Sequence, residues 1–204
     1  MKKLLLITFA IFVLGIGNAQ ATDYLIESGY FGDLIIGNYD TLLMTGGWGD
    51  NLSIIDYAVA TIENTDLPIG ITNLSLSGYG SVYIYGGGID YVEADSFASM
   101  NMTGGSLNSA ALTGYSNIFT ISGGHFGNLT ITNDDCWFHI TCYDLIYDGT
   151  YLNGKWADYT VFQIELIDQG ISTYGQVIYH EIPEPATLLI FAVGGVFLAK
   201  RRKI

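Results

Sequence analysis

A carboxylate or amide side chain recurs along this chain just before a short alternation of polar and apolar residues. Stacked in a column, such side chains could hold calcium, because hard cations prefer oxygen ligands. They could instead form a ladder of hydrogen bonds that supports turns. We expect the ladder, with no metal site. The positions are Asp33, Asn51, Asn73, Asp90, Asn108, Asn128 and Asp144.

The spacing of this series predicts a repeated unit of about 18 to 19 residues. A second series of strand ends runs in phase with it, at Met44, Ile62, Ile84, Met102, Ile121 and Ile140. Glycine pairs follow most of these strand ends, and no segment between them has the 3.6-residue period of an amphipathic helix. Each unit therefore holds two short strands separated by glycine-rich turns.

Units of this kind bury their apolar faces only when they stack. The sequence predicts an all-β fold, a parallel β-solenoid of about seven coils over residues 22–148, which we expect to be a right-handed β-helix. Leu34, Leu52, Leu74 and Leu129 should share one inward column. An antiparallel sandwich is the alternative, but a sandwich has no reason to keep two strand series in phase. Residues 149–182 alternate more weakly and are predicted to form a strand-rich cap.

This register makes predictions for the cysteines and histidines. Cys136 and Cys142 fall at opposite ends of one strand, about 20 Å apart, which is too far for a disulfide, so we expect free thiols. His125, His139 and His180 have spacings that are not multiples of the coil. They are predicted to be isolated, which argues against a zinc site.

The fold resembles that of β-helix enzymes that cleave polysaccharides, and its coil length is similar to that of filamentous-haemagglutinin-type adhesins. Lyases of this fold use several cationic residues, whereas residues 22–182 contain Lys155 and no arginine. A hydrolase needs two carboxylates, which could come from Asp134, Asp135, Asp158 or Glu165. Since acidic residues are abundant, chance pairs are expected, and we predict no catalytic residues.

The charge distribution excludes other function classes. Nineteen of the 20 acidic residues lie between Thr22 and Ile182, where Lys155 is the single basic residue, so this body has a formal charge of −18. Such a surface repels nucleic acid and anionic lipid headgroups. The 15 tyrosines, Tyr83 and Tyr85 among them, could stack on sugars or pack along the solenoid, and we expect packing.

Both ends of the chain have the features of targeting segments. Lys2 and Lys3 precede an apolar run, and Ala19 and Ala21 suit the subsites of signal peptidase, so residues 1–21 are predicted to be a signal peptide cleaved before Thr22. The far end, residues 183–204, contains a Pro-Glu-Pro motif, an uncharged apolar segment at 186–199 and a basic cluster. The motif and cluster residues are Pro183, Glu184, Pro185, Lys200, Arg201, Arg202 and Lys203.

This arrangement resembles the PEP-CTERM sorting signal of Gram-negative bacteria that make exopolysaccharide. The resemblance implies that the segment 186–199 is a transmembrane sorting helix and that exosortase, a membrane-embedded transpeptidase, removes the tail. A plain C-terminal anchor is the alternative. The resemblance covers the sorting route only and does not identify the function of the body.

We therefore expect an exported, non-catalytic protein of the cell surface or extracellular matrix, held transiently in the inner membrane by its terminal segments. Its expected role is structural or adhesive, with extracellular polysaccharide as the partner and no nucleic acid. No cofactor is expected; calcium, as a bridge to anionic glycans, is the candidate that stays open. The alternatives are a β-helix hydrolase and an inert spacer.

Overall fold

The computed structural model describes residues 21–183, so the predicted signal peptide up to Gln20, the apolar segment 186–199 and the basic cluster lie outside the described residues. The described chain is almost entirely β-structure, and its one helical element is a 3-10 turn at Tyr174–Gln176. The strands are β1 (Asp23–Ile26), β2 (Asp33–Ile36), β3 (Thr41–Met44), β4 (Gly49–Ile54), β5 (Val59–Ile62), β6 (Ile71–Ser77), β7 (Ser81–Ile84), β8 (Gly88–Asp95), β9 (Ser99–Met102), β10 (Ser106–Leu112), β11 (Ile118–Ile121), β12 (His125–Ile131), β13 (Trp137–Tyr147), β14 (Tyr151–Lys155), β15 (Val161–Asp168) and β16 (Val177–Glu181).

The strands form two parallel ladders, which alternate along the chain as far as β13 and are joined at one end through β14. Sheet 1 contains β1, β3, β5, β7, β9, β11, the first part of β13 and β16, each in register with the strand one coil earlier. Sheet 2 contains β2, β4, β6, β8, β10, β12 and β15 in the same parallel order. This confirms the parallel β-solenoid and excludes the antiparallel sandwich. The handedness of the coil stays a prediction.

The core consists of inward columns that run through successive coils. Leu34 aligns with Leu52, Leu52 with Leu74, and the column continues through Val92 and Ala110 to Leu129, as predicted. A parallel column on sheet 1 runs from Met44 to Ile140 and is fully or almost fully buried. Each fully buried aliphatic side chain contributes roughly 1.5–3 kcal/mol relative to an exposed one.

Glycine pairs mark the corner between sheet 1 and sheet 2, and both members are required there. The second glycine has a positive φ, +86° at Gly47 and +89° at Gly124, which an L side chain rarely adopts. At the first, a Cβ would lie 2.1 Å from the Glu27 carbonyl oxygen in the case of Gly46, and 2.4 Å from that of Thr103 in the case of Gly123. The corner thus brings neighbouring backbones too close together for any side chain.

The solenoid makes about six turns, one fewer than predicted, because the chain changes course within β13. The first part of β13 pairs with β11, but the part from Tyr143 to Tyr147 leaves the parallel sheet and pairs antiparallel with β14. β14 in turn pairs antiparallel with β15, which returns to a parallel position beside β12. Trp156 fixes this segment to the preceding coil, since its Nε1 donates to the Gly124 carbonyl at 2.7 Å.

No helix within residues 21–183 has the length and apolar character needed to cross a membrane.

Candidate functional site

The first three members of the predicted polar ladder are in contact. Asn51 Nδ2 donates to Asp33 Oδ1 at 2.6 Å, and Asn73 Nδ2 donates to Asn51 Oδ1 at 2.9 Å. The bonds join side chains of successive coils and do not reach turn backbone. They lie at exposed positions on sheet 2, where each stabilises the stacking by less than about 1 kcal/mol.

The middle of the ladder is displaced by one residue. Asn73 aligns with Tyr91, and Tyr91 with Ser109, so Asp90 and Asn108 lie in the adjacent column, where Asn108 Nδ2 donates to Asp90 Oδ1 at 2.8 Å. Two consecutive residues point outward in each coil here, as at Asp50 and Asn51. Asn128 returns to the first column and accepts a hydrogen bond from Ser109 at 2.6 Å.

The prediction that Asp144 belongs to the ladder is wrong. This residue follows the point where β13 leaves the parallel sheet, has a φ of 52°, and pairs with Lys155 Nζ at 2.8 Å. Glu165 of β15 takes the position beside Asn128 instead. The sequence misled here because Asp144-Leu145-Ile146 repeats the polar–apolar pattern of the true units.

The carboxylates that could serve a hydrolase lie on different elements. Asp134 and Asp135 are in the turn before β13, Asp158 is in the turn before β15, and Glu165 is on β15. Hydrogen bonds from the Thr160 hydroxyl, at 2.6 Å, and from its N–H lower the pKa of Asp158 below its usual value. Over residues 21–183, no three His, Cys, Asp or Glu side chains form a group that could hold a metal ion.

Both cysteines are buried free thiols, as predicted. Cys136 donates to the Gly114 carbonyl at 3.0 Å and lies 3.6 Å from Asn117 Nδ2. Burial, together with the nearby Asp144 carboxylate, raises the pKa of Cys142 to about 12. Neither thiol is therefore ionised at neutral pH, and both act as small apolar core residues.

The histidines depart from the prediction that all three are isolated. His139 and His180 stack with ring centroids 5.2 Å apart, and Nδ1 of the first lies 2.9 Å from Nε2 of the second. Burial, and then the charge of His180, lower the pKa of His139 below its usual value. The sequence could not indicate this contact, because it depends on β16 pairing with β13.

The outer surface of sheet 1 is uncharged over its central strands, although the terminal strand β1 places Asp23 beside Thr41. Between β3 and β13, all of which is described, its outward positions contain hydroxyl, amide, imidazole, aliphatic and aromatic side chains and no Asp, Glu, Lys or Arg. We call this surface the uncharged face. Its two columns are Thr41, Val59, Ser81, Ser99, Ile118 and Trp137, and Leu43, Thr61, Tyr83, Asn101, Thr120 and His139.

An exposed aromatic ladder borders the uncharged face two residues before its strands. Tyr39, Tyr57, Tyr79 and Phe97 stack in sequence with centroid distances of 5.2, 4.9 and 5.2 Å, close to the coil rise. Each ring is about half exposed. Because the rings cover each other's faces, the ladder packs as predicted for tyrosine, and it presents ring edges and hydroxyls to solvent.

Two aromatic residues on the uncharged face lack this mutual cover. Tyr83 is 41 % exposed and lies between Thr61 and Asn101 in its column. Trp137 is 39 % exposed and lies next to Ile118. No aromatic column neighbour covers these rings from β5 to β13, so their exposed surface is available to the C–H face of a sugar ring.

Comparison with known proteins identifies the C-terminal segment. The family model for the PEP-CTERM protein-sorting motif matches residues 181–203, which include the Pro-Glu-Pro motif and the basic cluster; only its first three residues are described. Searches of curated proteins and of solved structures found no match. The chain thus joins a β-solenoid body to a PEP-CTERM sorting motif, which implies export, transient anchoring in a membrane and processing by exosortase, a membrane protein.

Proposed function

We propose that this protein is a non-catalytic structural or adhesive protein of the cell surface or extracellular matrix that contacts extracellular polysaccharide through the uncharged face. The sorting motif supports export, after which the body meets the outside of the cell. The signal peptide at 1–21, with Ala19 and Ala21 at its cleavage site, and the membrane helix at 186–199 belong to this proposal.

The uncharged face is the observation that carries the proposal. The body has a formal charge of −18, yet the outward positions of six successive strands of sheet 1, from β3 to β13, contain no charged residue. A surface needed only for solubility has no reason to lose its charges on one side. Hydroxyls and amides such as Ser99, Asn101 and Thr120 offer hydrogen bonds, and Tyr83 and Trp137 offer ring faces, which together suit a carbohydrate.

A glycan array combined with a reducing-end assay tests this function. The protein, purified as the cell exports it, should be retained on immobilised polysaccharide and release no reducing ends. Release of sugar that Asp134→Asn or Glu165→Gln abolishes would establish the hydrolase instead. If no polysaccharide retains the protein, the proposal is contradicted and an inert spacer is the function that the result favours.

A further inference from the structure

We propose that the uncharged face binds a neutral polysaccharide and recognises it as a polymer lying along the solenoid axis. This rests on the proposed function and specifies its ligand. A calcium-bridged anionic glycan is the competing ligand.

Electrostatics favours a neutral ligand. A polyuronate or sulfated glycan approaching a body of charge −18 is repelled at long range, and the uncharged face has no cation to offset that repulsion. A cationic polymer would instead be drawn to sheet 2, where Asp33, Glu93 and Glu165 point outward. Covering hydroxyls and amides costs less desolvation energy than covering charges. The desolvation cost of binding is therefore lowest when this face binds a neutral chain.

The spacing of the two open rings favours a polymer. Tyr83 and Trp137 lie three coils apart in neighbouring outward columns, which separates them by about 14 Å along the axis. Ser99, Asn101 and Thr120 lie between them and offer hydrogen bonds. A monosaccharide cannot contact both rings, whereas a chain lying along the axis contacts both and the polar groups between.

The ladder of Tyr39, Tyr57, Tyr79 and Phe97 makes the edge of this surface regular. Its rings follow one another at centroid distances of 4.9 to 5.2 Å beside the column of Thr41, Val59, Ser81 and Ser99, and the three tyrosines add phenol hydroxyls. The stacked rings hold one another in place, so little side-chain entropy is lost when a ligand covers their edges.

Co-sedimentation of the exported protein with an insoluble neutral β-glucan tests the ligand class, with polygalacturonate, with and without calcium, as the second probe. We expect binding to the glucan that is insensitive to ionic strength and not competed by glucose. Binding to polygalacturonate with calcium but not to the glucan would overturn this inference and leave the proposed function standing. Binding to neither probe, nor to any glycan of the array, would contradict both.

A matched pair of amide-to-carboxylate changes tests the location. Asn101→Asp replaces an amide with a carboxylate of nearly the same shape in the centre of the uncharged face. Asn64→Asp makes the same change at an exposed turn after β5. We expect Asn101→Asp to lower glucan affinity at least tenfold and Asn64→Asp to leave it unchanged, with both variants giving the wild-type circular dichroism spectrum. Equal affinities for the two variants would overturn the proposal.

Discussion

His139 and His180, 41 residues apart in the sequence, are diagonal neighbours on the paired strands β13 and β16, with His139 Nδ1 2.9 Å from His180 Nε2. β16 pairs with β13 and ends at Glu181, the first residue of the sorting motif, so this contact joins the last described strand to the solenoid. One ring must donate and the other accept, which requires at least one neutral imidazole.

The pair predicts a specific pH dependence of stability. The pKa of His139 is lowered from the usual 6.5 by burial and by His180, so its stabilising contribution is complete above pH 6.5 and is lost as the pH falls through the lowered value. His180→Gln should therefore reduce the drop in melting temperature on acidification. His125→Gln, at an exposed position on β12, controls for loss of a histidine. The same pH profile in both variants would contradict the coupling.

Asn117 is predicted to be the most costly polar residue to remove from the interior. It is fully buried, its Oδ1 accepts the Ala98 N–H at 2.9 Å, and its Nδ2 donates to the Ala94 carbonyl at 3.1 Å. Asn117→Ala leaves the Ala98 N–H unpaired, so we expect the free energy of unfolding in urea to fall by about 2 kcal/mol. Asn108→Ala removes an exposed hydrogen bond and should cost less than about 1 kcal/mol; a larger loss there would reverse this ranking.

The burial of the two cysteines predicts how their thiols react with a thiol reagent. Because Cys136 and Cys142 are buried and the pKa of Cys142 is raised to about 12, neither should react with a thiol reagent in the folded protein at neutral pH. Unfolding without reductant should expose two reactive thiols per chain. A count of zero would mean that a disulfide is present and that β13 does not run straight between the two cysteines.

The proposed signal cleavage has a structural consequence at the first coil. The Thr22 nitrogen lies 2.7 Å from Asp40 Oδ1, and the Thr22 carbonyl accepts the Thr41 N–H. Cleavage before Thr22 would turn this contact into an ion pair between the new ammonium group and a carboxylate. N-terminal sequencing of the exported protein should therefore begin at Thr22.

Acetylation of that amine provides the control. Asp40→Asn should lower the melting temperature of the protein with a free Thr22 amine more than that of the acetylated protein, because only the former loses an ion pair. Sequencing that begins at Met1 would contradict cleavage before Thr22. Equal losses of melting temperature in the free and acetylated forms would contradict the ion pair between the Thr22 amine and Asp40.

The core was predictable from the sequence because a strand alternates with a period of two and glycine pairs mark most of the corners after the strands of sheet 1. Those signals place Leu52 beside Leu74 and Ile62 beside Ile84 without any knowledge of the coordinates. The aromatic ladder could also have been predicted from the sequence, since the spacing of its residues follows that of the strand series; the residues are Tyr39, Tyr57, Tyr79 and Phe97.

What could not be predicted depends on departures from that alternation. Two adjacent outward residues near the start of β8, and again of β10, displace Asp90 and Asn108 from the first polar column, and either residue of such a pair fits the pattern equally well. The antiparallel pairing that removes Asp144 from the ladder, and the pairing of β16 that brings His180 to His139, are set by tertiary contacts and leave no periodic signal.

The most direct measurement of the central claim is the affinity of the exported protein for a neutral β-glucan when one tyrosine is removed from each sheet. Tyr83→Ala removes an open ring from the uncharged face, and Tyr91→Ala removes an outward tyrosine from the same kind of mid-strand position on sheet 2. Loss of one stacking contact of about 1.4 kcal/mol corresponds to tenfold weaker binding. The account predicts that Tyr83→Ala weakens binding about tenfold while Tyr91→Ala binds as the wild type does; equal affinities, or weaker binding by Tyr91→Ala, would contradict it.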